Sequence, residues 1–157
     1  MPDLSSDAAS REEFFEDYVP GSVRTFGTML MKEEEIIEFA RCYDPQVFHT
    51  DPVAARKTVY GGLVASGWHT AAMAARLISE NYLSRTASMG SPGLDELRWL
   101  KPVRPGDKLS VRVSILEARR SLSKPDRGVV RSSVEVFNQD MVVVMTWKGV
   151  NILRCRS

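Results

Sequence analysis

The chain has little of what a metal site, a disulfide framework or a charged binding surface would need. It has two histidines and two cysteines among 157 residues, too few, and too unlike any known metal-ligand spacing, to predict a metal site. Cys42 and Cys155 lie far apart in sequence, which disfavours a disulfide-stapled, exported protein. The 21 lysines and arginines against 20 aspartates and glutamates leave a net charge of +1. That balance excludes the strong field used to bind nucleic acid or a membrane surface.

Long hydrophobic runs are also missing. Ser66, His69 and Arg76 interrupt the most apolar segment before it reaches the roughly 18 residues of a membrane span. The N-terminal residues contain no apolar signal core, so we expect a cytoplasmic protein that does not insert in a membrane. The length suits one domain, predicted over residues 18–157, after a flexible N-terminal segment at residues 1–17.

Two helices are predicted from apolar periodicity. Residues 33–43 place apolar side chains on one face and three glutamates in the first turn, and Pro45 predicts that this helix ends near Asp44. Residues 66–82 form the longest helical pattern, with Ser66 as its N-cap. Its apolar residues surround nearly the whole circumference, which predicts a helix buried on almost every side. A short helix is expected from Asp51, with Pro52 at its first position.

The second half of the chain changes to strand periodicity. Apolar and polar residues alternate over 109–115 and over 130–136, and residues 141–153 follow a turn as a further strand. Alternation of this kind is typical of strands with one covered face. The predicted fold class is therefore α+β, an antiparallel sheet wrapped around a long central helix.

Asp44 and His49 are the first candidate site residues. They lie five positions apart on a turn-forming segment, Tyr43-Asp44-Pro45-Gln46-Val47-Phe48-His49. Such residues are most often a helix cap and a structural histidine, so the spacing alone is a weak signal. A carboxylate and an imidazole that share a water are nonetheless suited to proton transfer near neutral pH.

Glycines before the long helix supply a second candidate feature. Gly61 and Gly62 suit a turn or close packing, whereas Gly67 falls in the first helical turn, where its N–H has no intrahelical partner. That N–H and the helix dipole favour a carbonyl oxygen that gains negative charge. A side chain at position 67 is expected to lie where this oxygen binds. Ser66 is predicted to cap the helix rather than act as a nucleophile.

Arg98, Lys101 and Arg104 form a basic cluster near Trp99. Residues of this kind are usually solvated surface charges. A sharper interpretation is a rim that binds the phosphates of a nucleotide-carrying substrate.

Three ordered segments resemble the MaoC-like dehydratases, the R-specific enoyl-CoA hydratase branch of the hot-dog fold. They are Asp44-Pro45-Gln46-Val47-Phe48-His49-Thr50-Asp51, Tyr60-Gly61-Gly62-Leu63-Val64-Ala65-Ser66-Gly67 and Trp99-Leu100-Lys101-Pro102-Val103-Arg104-Pro105-Gly106-Asp107. The resemblance implies Asp44 and His49 as the proton-transferring pair and Gly67 as the oxyanion donor, with Ser66, Gln46 and Gly62 as neighbouring substrate-binding residues. Gln46 stands beside the position where the family commonly has asparagine, and Ser66 stands where it often has histidine.

This resemblance also implies that the protein is a hydratase/dehydratase, which interconverts 2-enoyl and 3-hydroxyacyl thioesters of fatty acid metabolism. A coenzyme A thioester is expected as substrate, with no separate cofactor and no metal. A homodimer or a dimer of dimers is expected, without nucleic acid or membrane partners. Two alternatives stay open, a thioesterase on the same fold and a non-catalytic acyl-CoA-binding subunit.

Overall fold

A computed structural model describes residues 12–157 as one antiparallel sheet with helices on its concave side. The elements are a 3₁₀ turn (Phe15–Asp17), β1 (Val23–Leu30), α1 (Glu33–Tyr43), α2 (Val47–Thr50), α3 (Pro52–Ala55), α4 (Gly67–Asn81), β2 (Leu94–Trp99), β3 (Lys108–Arg120), β4 (Arg127–Phe137) and β5 (Val143–Arg154). The five strands lie in the order β1-β3-β4-β5-β2. The predicted fold class is confirmed.

The three long strands β3, β4 and β5 form the centre of the sheet. Each follows the alternation of its sequence, so Val113, Val134 and Trp147 are aligned across the three strands and are buried on the same face. Their apolar side chains supply much of the core. These are the strands that the sequence periodicity predicts.

The two edge strands, β1 and β2, were not predicted from the sequence. β1 pairs with β3, and β2 pairs with β5, each on one side only. Most residues of β2 are exposed, and its register with β5 shifts between Asp95 and Arg98 around Glu96, whose φ is +53°. A bulge interrupts the alternation by which a strand is recognised.

Helix α4 packs against the sheet, where it contacts β1 and β3. Ala74 and Leu77 are buried, and Ser66 caps the helix by accepting a hydrogen bond from the Trp68 N–H at 3.3 Å. The expectation that α4 is buried on almost every side is wrong for this single chain, because Trp68 is 57 % exposed and Ala72 also faces outward. No helix within residues 12–157 is long and apolar enough to cross a membrane.

The domain begins earlier than residue 18. Phe15 packs on Gly128, where any side chain would overlap its ring. The Glu16 carboxylate accepts a hydrogen bond from the Arg156 N–H at 2.9 Å, and the Asp17 carboxylate pairs with the Arg156 guanidinium at 2.6 Å. Residues 12–17 therefore belong to the folded unit, contrary to the predicted flexible segment. The remainder of that predicted segment, residues 1–11, lies outside the described residues.

Candidate active site

Asp44 and His49 are brought together by the break between α1 and α2. α1 ends at Tyr43, so Asp44 occupies its C-cap, while Pro45 and Gln46 lead into the single turn that carries His49. The Asp44 Oδ2 atom lies 3.4 Å from the His49 Nε2 atom. The two candidate residues face each other, as the sequence predicts.

A backbone carbonyl fixes the proton arrangement on His49. The Nδ1 atom lies 2.6 Å from the Val64 carbonyl oxygen, which can only accept, so Nδ1 carries the hydrogen. In the neutral ring Nε2 is then an acceptor, directed at an Asp44 carboxylate oxygen that is also an acceptor. Neither can donate to the other, and a water molecule beside the pair, in the cavity, could donate to both.

Three neighbours keep Asp44 ionised. Ser66 Oγ donates to Asp44 Oδ2 at 2.7 Å, and Gln46 Nε2 donates to Asp44 Oδ1 at 2.7 Å. Partial burial raises the pKa of the Asp44 carboxyl, but the hydrogen bonds from Gln46 and Ser66 and the nearby His49 outweigh it, so the pKa lies below its usual value. Ser66 thus has a second role that its position as a helix cap did not predict.

Gly67 is the first residue of α4, and its N–H makes no hydrogen bond within residues 12–157. Its carbonyl accepts a hydrogen bond from Trp99 Nε1 at 3.0 Å. A Cβ atom built on Gly67 would overlap the Trp99 indole and lie 2.6 Å from Nε1. The expectation that a side chain here would replace the thioester oxygen is therefore corrected: it would first meet Trp99.

One cavity of about 580 Å³ joins these groups. Asp44, His49, Gly67 and Trp99 line it together, so an acid–base pair, a free N–H at a helix N-terminus and an aromatic wall all face the same space. A carbonyl compound bound there would have proton-transfer groups and an oxyanion donor within reach.

Only part of the predicted substrate-binding set lines this cavity. Lys101 does, whereas Arg104 donates to the Tyr60 carbonyl and Arg98 to the carbonyl of the preceding residue, and neither arginine lines the cavity. Gly62 does not line it either; a Cβ there would lie 3.3 Å from Arg104 Nη1. Of the predicted basic rim, Lys101 is the member that lines the cavity, and phosphate binding by the three residues stays a prediction.

Two tryptophans at the site were not identified from the sequence. Trp68 and Trp99 make an edge-to-face pair, with ring centroids 5.0 Å apart, and both line the cavity. In the sequence, Trp68 is one of many apolar residues of α4. Its contact with Trp99 depends on the pairing of β2 with β5, which the sequence did not predict. The only available signal was the proximity of Trp99 to the basic cluster.

His69 lies in the core and away from the cavity. It is buried, its ring stacks on Phe39 with centroids 4.7 Å apart, and it does not line the cavity. Burial lowers the pKa of its imidazole, which keeps the ring neutral. Within residues 12–157, no three His, Cys, Asp or Glu side chains are grouped so as to hold a metal ion.

The five-stranded antiparallel sheet packed against one long helix, together with the likeness to solved hot-dog structures, defines a hot-dog-fold protein. Within that class the chain belongs to the MaoC-like family, since residues 16–138 match the model of the MaoC like domain.

Similar proteins span nearly the whole chain. A crystal structure of a MaoC-like dehydratase from Rhodospirillum rubrum is 36% identical, with a TM-score of 0.85, over 92% of this chain and 99% of its own. The R-hydratase PhaJ1 from Pseudomonas aeruginosa, solved in the unliganded form, is 25% identical, with a TM-score of 0.73, over 92% of this chain and 86% of its own. The uncharacterized protein YdeM of Bacillus subtilis is 27% identical over 82% of this chain and 90% of its own.

Proposed function

We propose that the protein adds water reversibly to a 2-enoyl thioester, and so interconverts it with the 3-hydroxyacyl thioester. The observation that carries the proposal is the Asp44–His49 pair in the same cavity as the unbonded Gly67 N–H. The similarity to an R-hydratase supports the same reaction.

Gly67 supplies the electrostatic part of the reaction. The thioester oxygen accepts the hydrogen bond of its N–H, and the N-terminal end of α4 stabilises the negative charge that this oxygen gains as an enolate forms. A donor aimed at charge that develops only in the transition state lowers the barrier.

Asp44 and His49 move the protons. In the hydration direction the water oxygen bonds to the third carbon of the acyl group, one proton of the water is held by the pair, and a proton is delivered to the second carbon. Elimination reverses these steps. Both residues act on one water, so the acid and base roles are assigned to the pair rather than to one member.

Coenzyme A is the proposed carrier. Lys101 lines the cavity and forms no ion pair with a carboxylate within residues 12–157, which leaves its ammonium group to pair with a phosphate.

Crotonyl-CoA tests the proposal. Hydration removes the enone absorbance without release of free thiol, whereas a thioesterase releases thiol. A binding subunit does neither but saturates with ligand. Thiol release as the main product, or saturable binding without loss of the enone, would overturn the proposed reaction.

A second copy of the chain is proposed to cover the open side of α4 and the free edge of β2. Trp68, Leu94 and Trp99 are exposed there, at 57 %, 49 % and 46 %. An apolar patch of this kind beside an unpaired strand edge marks an interaction surface. Light scattering at micromolar concentration should give a dimer or a dimer of dimers, and a monomer would contradict the proposal.

A further inference from the structure

A second cavity lies farther along α4, between that helix and strands β4 and β5. Its volume is about 200 Å³, and Ala71, Ala75 and Ile78 line it from the helix. Ala71 directly follows Thr70, which lines the first cavity, and lies four residues beyond Gly67, about 6 Å along the helix axis. An acyl chain whose carbonyl binds at Gly67 and that runs along α4 would reach the level of this second cavity within one helical turn.

The sheet side of the second cavity carries two unpaired polar groups. Ser132 and Trp147 line it and are buried, at 2 % and 6 % exposure. Neither side chain makes a hydrogen bond within residues 12–157, unlike the Trp99 side chain, which lines the first cavity. Buried polar groups are nearly always hydrogen-bonded, so these two are suited to a partner that the chain itself does not supply.

Gly149 brings the two groups to one place. It is the cross-strand partner of Ser132 and lies two residues after Trp147, so all three share a face of the sheet. A Cβ atom built on Gly149 would lie 3.1 Å from Ser132 Oγ and 3.4 Å from Trp147 Nε1. The missing side chain leaves a notch flanked by a hydroxyl and an indole N–H.

The chemistry of the notch selects an uncharged acceptor. The indole N–H can only donate and the hydroxyl can donate, so both can bond to one oxygen. None of the residues that line this cavity is charged, which disfavours a carboxylate, because a buried charge needs a charged partner. A hydroxyl or a keto oxygen meets both conditions.

We propose that the physiological acyl group carries an uncharged oxygen, a hydroxyl or a keto group, that binds between Ser132 and Trp147 in the Gly149 notch. This inference rests on the proposed function, since it takes the thioester to bind at Gly67. Ser132 and Trp147 then act as specificity-determining residues, remote from the reacting carbons.

Matched pairs of thioesters test the inference. The rates kcat/KM are compared for 2-hexenoyl-CoA and 6-hydroxy-2-hexenoyl-CoA, and for 2-octenoyl-CoA and 8-hydroxy-2-octenoyl-CoA, with the 5-oxo and 7-oxo analogues alongside. We expect at least one oxygenated thioester to be preferred by about tenfold, the usual scale of one or two buried hydrogen bonds. The affinities of the saturated hexanoyl, octanoyl, hydroxyacyl and oxoacyl thioesters, measured by calorimetry, give a readout independent of turnover.

Three variants test whether the preference for an oxygenated thioester arises at the Gly149 notch. Ser132→Ala should reduce the preference for the oxygenated thioester about tenfold, and Gly149→Ala should reduce it by filling the notch. Ser133→Ala is the control, because the neighbouring serine points to the opposite face of β4. Thermal midpoints show whether each variant is folded, and the two test variants act on the notch independently.

The outcomes separate this inference from the proposed function. If crotonyl-CoA is hydrated but no oxygenated thioester is preferred at either length, the inference is overturned and the notch holds only water. A preference that Ser132→Ala and Gly149→Ala leave unchanged overturns it as well. If no thioester is hydrated, the proposed function fails, and equal affinities for the saturated pairs would overturn the inference too.

Discussion

The two cavities along α4 differ in how their polar groups are satisfied. At the first, Asp44 accepts hydrogen bonds from two side chains, and the His49 ring bonds to a backbone carbonyl. At the second, Ser132 and Trp147 have no hydrogen-bond partner within residues 12–157. Under the proposed function, the reacting groups are positioned before the substrate binds, whereas Ser132 and Trp147 gain their hydrogen-bond partner from the acyl group. Catalysis depends on the first property and selectivity on the second.

The largest expected effect comes from breaking the preorganised pair. Asp44→Asn or His49→Gln should lower turnover by on the order of 10²–10⁴, because each removes one of the two groups that hold the water. Thermal stability should change little, and the affinity for a saturated acyl-CoA should persist, since the second cavity is intact. The double variant should lose much less than the sum of the single losses.

Glu38→Gln, on the exposed side of α1, is the matched control for the loss of a carboxylate. Wild-type turnover in either Asp44→Asn or His49→Gln would rule out the pair.

The next largest effect is expected from the contact between Gly67 and Trp99. Gly67→Ala forces the Trp99 indole away and breaks its bond to the residue 67 carbonyl, and a displacement of this size lowers turnover by on the order of tenfold to a hundredfold. Steady-state kinetics on purified protein measure the loss.

A second substitution shows whether the clash with Trp99 is the cause. Trp99→Ala removes the ring, so Gly67→Ala should cost less in that background than in the wild type. If Gly67→Ala alone keeps full turnover, the thioester oxygen is held by another group.

A substitution in the loop before α4 is expected to change stability and not turnover. Gly61 has a φ of +65°, and a Cβ there would meet no atom. Gly61→Ala should therefore lower the free energy of unfolding by about 1–2 kcal/mol through backbone strain, while the folded fraction keeps its activity. Gly62→Ala is the matched control, since its φ is not positive. Denaturation midpoints that are equal for both variants would contradict the strain.

The smallest effect concerns the ionisation of Asp44. A carboxyl with a lowered pKa stays charged as the pH falls, and the stability gained from its charge is lost only as the pH drops through that lowered value. Ser66→Ala removes one donor, so the pKa of Asp44 should rise and the acid limb of the pH profile of kcat/KM should move to higher pH. Gln46→Leu should give the same direction without loss of the helix cap. An unchanged acid limb in both variants would show that Asp44 does not set it.

Most of the candidate site could be predicted from the sequence because its residues lie in short contiguous segments. Asp44 and His49 share one turn, and Ser66 and Gly67 share one helix start, so helix periodicity and Pro45 sufficed to predict their placement. The same local patterns identified α1, α4 and the three central strands.

The features that the sequence did not predict depend on pairings between distant segments. β1 and β2 are edge strands whose alternation is weak, and β2 is further broken by its bulge. The contact between Gly67 and Trp99 joins residues 32 positions apart, and it depends on where β2 lies beside β5. The distinction between Lys101, which lines the cavity, and the two arginines, which do not, has the same origin.

Two hydrogen bonds to Val64 hold the ends of one loop together. Val64 N–H donates to the Phe48 carbonyl at 2.9 Å, and the His49 ring bonds to the Val64 carbonyl. These bonds close residues 50–63 into a loop, so the separation of the His49 imidazole from Gly67 does not depend on the length of that loop. Doubling a loop costs only about 0.6 kcal/mol. The exposed stretch around Lys57 and Val59 is therefore a place where residues can be inserted, or a reporter peptide grafted, without altering the spacing of the reacting groups.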